Sequence, residues 1–191
     1  REGGVMRLEH LIADINEEMY TKIAENKAIS EEEARETAKI VGLSAIKYWD
    51  LSNQASKDYI FDIDRFTSFE GNTGPYILYT IVRIKSILAK YVESGKEVAL
   101  CEIQKAESAS AKALMLEVAK FNHVMENAYE ELAPHKICAY IYDLSNAFNK
   151  FYHETSIMGE EDADKQSGYI NLLNTVKGIL EMSIYILGFN K

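Results

Sequence analysis

The sequence predicts an all-α protein, a helical bundle. Apolar residues recur at steps of three and four through most of the 191 residues, which is the pattern of helices with one inward face. Pro75 and Pro134 each stand at the head of such a stripe, where a missing N–H and a preset φ suit the first helical turn. Ser30 and Glu33 form a capping box ahead of another. At 47% apolar and 27% charged, the chain suffices for one helical domain with an attached piece.

The first helix is expected over Met6 to Asn26, with Leu8, Leu11, Ile12, Ile15, Met19, Tyr20 and Ile23 on one face. The second starts after Ser30. Glu31, Glu32 and Glu33 lie at its positive end and read as a helix start, not as a metal site. Gly42 is expected to break or kink this element before Leu43 to Leu51 resumes it. Asn53 to Asp64 has no clear period: Tyr59, Phe61 and Ile63 alternate with Asp58, Ile60, Asp62 and Asp64, between an extended strip and a helix entrance. Asp62 and Asp64 read as a cap ahead of a helix more readily than as a paired-carboxylate site, because no third ligand is near.

The stretch Ser68 to Ile84, SFEGNTGPYILYTIVRI, organises the rest. Gly71 and Gly74 flank Asn72 and Thr73 in a compact turn whose backbone can take left-handed angles. From Pro75 to Tyr91 a helix follows, with Ile77, Ile81, Ile84, Ile87 and Leu88 inward. Tyr79 and Arg83 stand one turn apart on the same face. A flat ring beside a planar cation suits an unstacked base and its phosphate. The same pair suits plain helix cover, which spacing alone ranks first.

Glu93 to Lys96 is a polar turn and Glu97 to Ala106 a short helix or extended link. Lys112 to Tyr129 has the periodicity of one or two helices, and its lone His123 reads as packing or surface. Leu132-Ala133-Pro134 opens a helix with Ile137, Ile141, Leu144, Phe148 and Phe151 along one stripe. Phe148 and Tyr152, four apart, form a second aromatic pair, with core packing and an exposed platform both open. His135 and Cys138 supply two donors, too few to close a metal site. Ser156 to Ser167 reads as an acidic loop. A last helix runs from about Tyr169 to Leu187, with Gly188 as its C-cap.

A net charge of −9 and a pI near 5.0 argue against nucleic acid as a partner of the whole surface. Screening over about 8 Å leaves the decision to the local patch, and Arg83, Lys85 and Lys90 share one helix. A weak, partly shielded site is expected. Cys101 and Cys138 fit no metal spacing and read as buried small hydrophobes of a reducing, cytoplasmic compartment. No apolar run has the length to cross a bilayer, so a soluble protein without membrane contact is expected.

Three blocks extend this reading: IKYWDLSNQASKDYIFDIDRFTSFEGNTGPYILYTIVRI from Ile46 to Ile84, ELAPHKICAYIYDLSNAFNKFY from Glu131 to Tyr152, and ILGF from Ile186 to Phe189. In this order they resemble arginyl-tRNA synthetases of class I, over the passage from the catalytic half into the DALR-type anticodon-binding domain. The family usually carries Gln where Leu78 stands and a basic residue where Tyr169 stands. The resemblance implies that residues 1–69 hold the end of the catalytic half with connecting, stem-side helices. Residues 70–191 would be the anticodon-binding helical domain. The HIGH and KMSKS motifs of the family do not occur, and the chain opens on Arg1-Glu2-Gly3-Gly4-Val5. A C-terminal fragment of a longer enzyme, inactive alone, is therefore expected.

By the same resemblance the partner is the anticodon loop of tRNA(Arg). The parent enzyme would join arginine to that tRNA using ATP with Mg, through a domain this chain lacks, and it is expected to be a monomer. No cofactor, catalytic residue or metal is expected in this chain. The residues assigned to tRNA are Gly71, Asn72, Thr73 and Gly74, which shape the RNA backbone; Tyr76, which matches the family at its position; Tyr79, Phe148 and Tyr152, which offer ring faces; Arg83, which neutralises phosphate or stacks; and Phe189, which trails toward the anticodon. Two alternatives stand beside this: a helical protein-interaction module without an RNA role, and the equivalent domain of another class I synthetase.

Overall fold

A computed structural model of the chain describes residues 7–25, 29–58, 62–98, 103 and 105–189. Among the described residues there are eight helices and no strand: α1 (Leu8–Ala24), α2 (Glu31–Ser52), α3 (Ile63–Phe66), α4 (Gly74–Glu93), α5 (Ala109–Ala119), α6 (Phe121–Glu130), α7 (Pro134–Glu154) and α8 (Ala163–Ile186). None of these helices is long and apolar enough to cross a membrane.

Helix α7 is the hub, packing against α2, α4, α5, α6 and α8. Its stripe Ile137, Ile141, Leu144, Phe148 and Phe151 is buried, as the spacing predicts. Helix α4 lies among α2, α7 and α8 and buries Ile77, Ile81, Ile84, Ile87 and Leu88. Helix α1 packs on α2. Side-chain caps fix where several helices begin: Ser30 accepts from Glu33 N, Asp62 from Arg65 N, Thr73 from Tyr76 N and Ser108 from Ala111 N. The expected cap at Asp62 is thus present. Lys112 to Tyr129 resolves into two helices, α5 and α6.

Two expectations are corrected. Gly42 does not break α2, which is continuous through it. It is buried, and a Cβ there would stand 2.4 Å from Asn16 Oδ1, so the glycine serves the close approach of α1. The last helix begins at Ala163, inside the expected acidic loop, because Asp162 accepts from the N–H groups of Asp164 and Lys165. Of the two readings open for Glu97 to Ala106, a short helix or an extended link, the described residues fit the link, since none of them is helical. Cys101 and the alternation at Tyr59 to Phe61 lie outside the described residues. Cys138 is fully buried, and desolvation pushes its thiol up to about 12.

Two chain reversals set the ends of the hub. Helix α6 closes with Leu132 at φ 49, its N–H donating to Tyr129 O and that of Ala133 to Ala128 O. This is the left-handed position that glycine usually fills, and it turns the chain into Pro134. Helix α8 closes in the same way with Gly188 at φ 77: Gly188 N donates to Tyr185 O and Phe189 N to Ile184 O. That turn folds Phe189 back into the core.

Candidate nucleic-acid interface

Helices α4 and α7 run side by side, and a polar and aromatic seam joins them along one edge. The Tyr76 hydroxyl donates to Asn146 Oδ1 at 2.7 Å and accepts from Asn149 Nδ2 at 2.8 Å. Asn149 Oδ1 accepts in turn from Arg83 Nη1 at 2.6 Å, and the Tyr79 hydroxyl accepts from Arg83 Nη2 at 2.9 Å. The Arg83 guanidinium carbon lies 4.7 Å from the Tyr79 ring centre and 5.5 Å from that of Tyr152. Below the surface, Phe148 stacks on Tyr152 at 6.0 Å with the planes 25° apart. Tyr142 meets Tyr76 edge-on at 5.8 Å.

This seam presents two tyrosine rings to solvent, Tyr79 at 46% exposure and Tyr152 at 38%, with a half-buried cation held between them. Burial holds the Tyr76 phenol above its ordinary value, against the lowering effects of the Asn149 hydrogen bond and the Arg83 charge. Tyr76 therefore stays neutral and keeps its hydroxyl hydrogen for Asn146. Among the described residues, two of the five guanidinium hydrogens find acceptors, which fixes the plane of Arg83 and leaves the others for an outside acceptor. Lys85, on the same helix, turns toward α8 and pairs with Glu181 at 3.0 Å, so it adds no free charge to the seam.

The glycine-punctuated turn leads into α4 at the near end of the seam. Gly71 is exposed at φ 80, the left-handed angle expected of it. Asn72 is exposed, and its Oδ1 lies 2.5 Å from the hydroxyl of Tyr48 on α2. Thr73 and Gly74 are buried, which corrects their expected placement against a ligand. Thr73 donates to Ser68 O at 2.6 Å and caps α4. Gly74 is not at a positive φ. A Cβ there would stand 2.4 Å from Ser44 O and 2.6 Å from Ser44 C, so the residue admits the backbone of α2.

Two further placements are corrected. Phe148 and Phe189 are both fully buried, so neither has a ring face free for a base. Phe148 lies on the inward stripe of α7. Phe189 packs edge-on against Tyr48, with ring centres 6.1 Å apart. Of the ten expected residues, Gly71, Asn72, Tyr76, Tyr79, Arg83 and Tyr152 are exposed or half-buried, and contacts join Tyr76, Tyr79, Arg83 and Tyr152 in the seam. Asn146 and Asn149 complete the seam and were not foreseen. A signal existed, since Tyr142, Asn146, Asn149 and Tyr152 follow one another at helical steps beside the apolar stripe.

Exposed rings flanking a fixed planar cation can sandwich or stack unpaired bases, at roughly 1–3 kcal/mol each, while the cation meets a phosphate. A separate cavity of about 660 Å³ opens between residues 50–57 and 131–136, at the opposite end of α7. Among the described residues no cluster of three or more His, Cys, Asp or Glu side chains is placed to hold a metal.

Two family models match the chain. Residues 77–191 match the DALR anticodon binding domain, and residues 1–63 match the catalytic domain of class I (R) tRNA synthetases. The arginine–tRNA ligase of Agathobacter rectalis is 61% identical over the whole chain, which covers 33% of that protein. That of Alkaliphilus oremlandii is 51% identical over 98% of the chain and 32% of its own length. Among solved structures, the arginyl-tRNA synthetase of Thermus thermophilus superposes with a TM-score of 0.88 at 23% identity, over all of this chain and 32% of its own. The Plasmodium falciparum arginyl-tRNA synthetase gives 0.83 at 24%, over 97% and 33%. These last two show the shared fold. The chain spans about a third of the length of the curated relatives it matches.

Proposed function

Because the chain belongs to the DALR anticodon binding domain family, we propose that it recognises the anticodon loop of tRNA(Arg) through the α4–α7 seam. The observation that carries this reading is the arrangement of Arg83 between two solvent-facing rings, Tyr79 and Tyr152, in a half-buried, hydrogen-bonded setting. Tyr79 and Tyr152 stack on unpaired bases. Arg83 meets a phosphate or a base edge with its remaining N–H groups, and Tyr76 and the two asparagines hold it in place. Gly71 and Asn72 form the corner where the RNA backbone passes. Phe148 acts from beneath by supporting Tyr152.

Activation of arginine with ATP and Mg, and its transfer to the tRNA, belong to the whole protein of which such a domain is a part; that protein acts as a monomer in the cytoplasm. The identity of 61% to an arginine–tRNA ligase supports arginine as the amino acid. The division at residues 69 and 70 falls between the two family-model matches, and α1 to α3 then serve the catalytic side.

A gel-shift titration of the chain with tRNA(Arg), against a non-cognate tRNA, tests the reading. Cognate RNA is expected to bind about tenfold tighter, a difference of about 1.4 kcal/mol. Equal retardation of both, or of neither, sinks it and leaves the protein-interaction module.

A further inference from the structure

We propose that Tyr48, on α2, is a positioning residue for RNA binding, pegging the exposed Gly71–Asn72 corner to the bundle through its hydroxyl. The inference rests on the reading of the α4–α7 edge as an RNA-binding surface and names a residue outside that edge. Tyr48 is fully buried, and its hydroxyl lies 2.5 Å from Asn72 Oδ1 and 2.8 Å from the Cys138 carbonyl oxygen on α7. One hydrogen is thus shared between two acceptors that belong to the corner and to the hub helix. The ring also packs edge-on against Phe189.

Asn72 is exposed as a residue, yet its amide oxygen faces inward to this hydroxyl. A side chain used in this way serves the placement of its own backbone more than a contact with a ligand. The turn is otherwise tied at its end, where Thr73 binds Ser68 O and its N–H donates to Gly71 O. The link to Tyr48 sets where the apex stands relative to α7, on which Asn149 and Tyr152 lie. Tyr48 also falls within residues 1–63, matched by the catalytic-domain model, whereas Cys138 and Phe189 fall within residues 77–191. The hydroxyl therefore joins the two matched regions at the corner.

The test is a double-mutant cycle on the chain itself, with Tyr48→Phe, Asn72→Ala and the two combined, titrated with tRNA(Arg) at fixed salt. Phenylalanine keeps the ring against Phe189 and removes only the hydroxyl. Each single change is expected to weaken binding about fivefold, and the double variant no more than either alone, since both remove one link. Tyr48→Phe should also lower Tm by about 2–4 °C, the shift of one lost hydrogen bond in a chain of this size. A purely structural tyrosine would show that Tm loss with affinity within twofold of the parent chain, and this result overturns the inference. Losses that multiply in the double variant overturn it as well. Binding that Arg83→Gln weakens and Tyr48→Phe leaves alone removes this inference only. Absence of binding by the unaltered chain removes the functional reading together with it.

Discussion

Phe148→Ala is expected to lower the unfolding free energy by about 3–5 kcal/mol, the range for emptying a buried aromatic site. The side chain is fully buried on the inward stripe of α7, the helix that touches five others, so little of the resulting cavity can collapse. In denaturant or thermal unfolding the loss corresponds to a fall in Tm of roughly 10 °C or more for a chain of this length. Phe148→Leu, which keeps most of the volume, should cost about 1 kcal/mol. The leucine variant separates two roles for the residue. If Phe148 only supports Tyr152, Phe148→Leu binds tRNA within about twofold of the parent chain, a change under 0.5 kcal/mol. A tenfold loss of affinity in a folded Phe148→Leu protein would assign the ring a direct contact that its burial argues against.

Arg83→Gln is expected to weaken tRNA binding by about 2 kcal/mol, roughly thirtyfold, because it removes a charge-assisted contact and the cation between two rings. Glutamine can still reach toward Asn149, so the seam is expected to remain folded. The slope of log affinity against log salt should fall by about one, the mark of one lost phosphate contact. A thirtyfold loss with an unchanged slope would mean that Arg83 addresses a base and not a phosphate. Unchanged affinity would remove Arg83 from the interface. Tyr79 and Tyr152 can then be compared on the same footing, since each flanks the guanidinium.

Much of the fold was legible because its information is local. The stripes at three and four, the two prolines and the caps at Ser30 and Asp62 each act within a turn of chain, and the helices follow them. What failed was set by contacts distant in sequence. Gly42 reads as a breaker and Gly74 as a turn glycine of free angles, yet each is small because another element passes close by: Asn16 beside Gly42 and the Ser44 carbonyl beside Gly74. The start of α8 is the exception: Asp162 caps within one turn, a local signal hidden inside an acidic run. The same limit governs the interface. Spacing put Tyr79 and Arg83 on one face of α4, but not which neighbour that face meets. Phe148 lies on the stripe that the spacing marks as inward, so its burial was legible there, whereas that of Phe189 depends on the turn at Gly188, which no helix period encodes. Asn146 and Asn149 were passed over because asparagine in a helix signals little until a partner such as Tyr76 is known.

An overall charge of −9 sits beside a seam with one fixed cation, so the affinity of this surface rests on ring stacking and placement more than on charge. Ultraviolet cross-linking to tRNA(Arg) carrying thiouridine in its anticodon loop, followed by peptide mapping, addresses that placement directly. The account predicts cross-links in the segments holding Tyr79, Arg83 and Tyr152, suppressed by unmodified tRNA(Arg). Cross-links confined to α5 and α6, or to the cavity between residues 50–57 and 131–136, would contradict it.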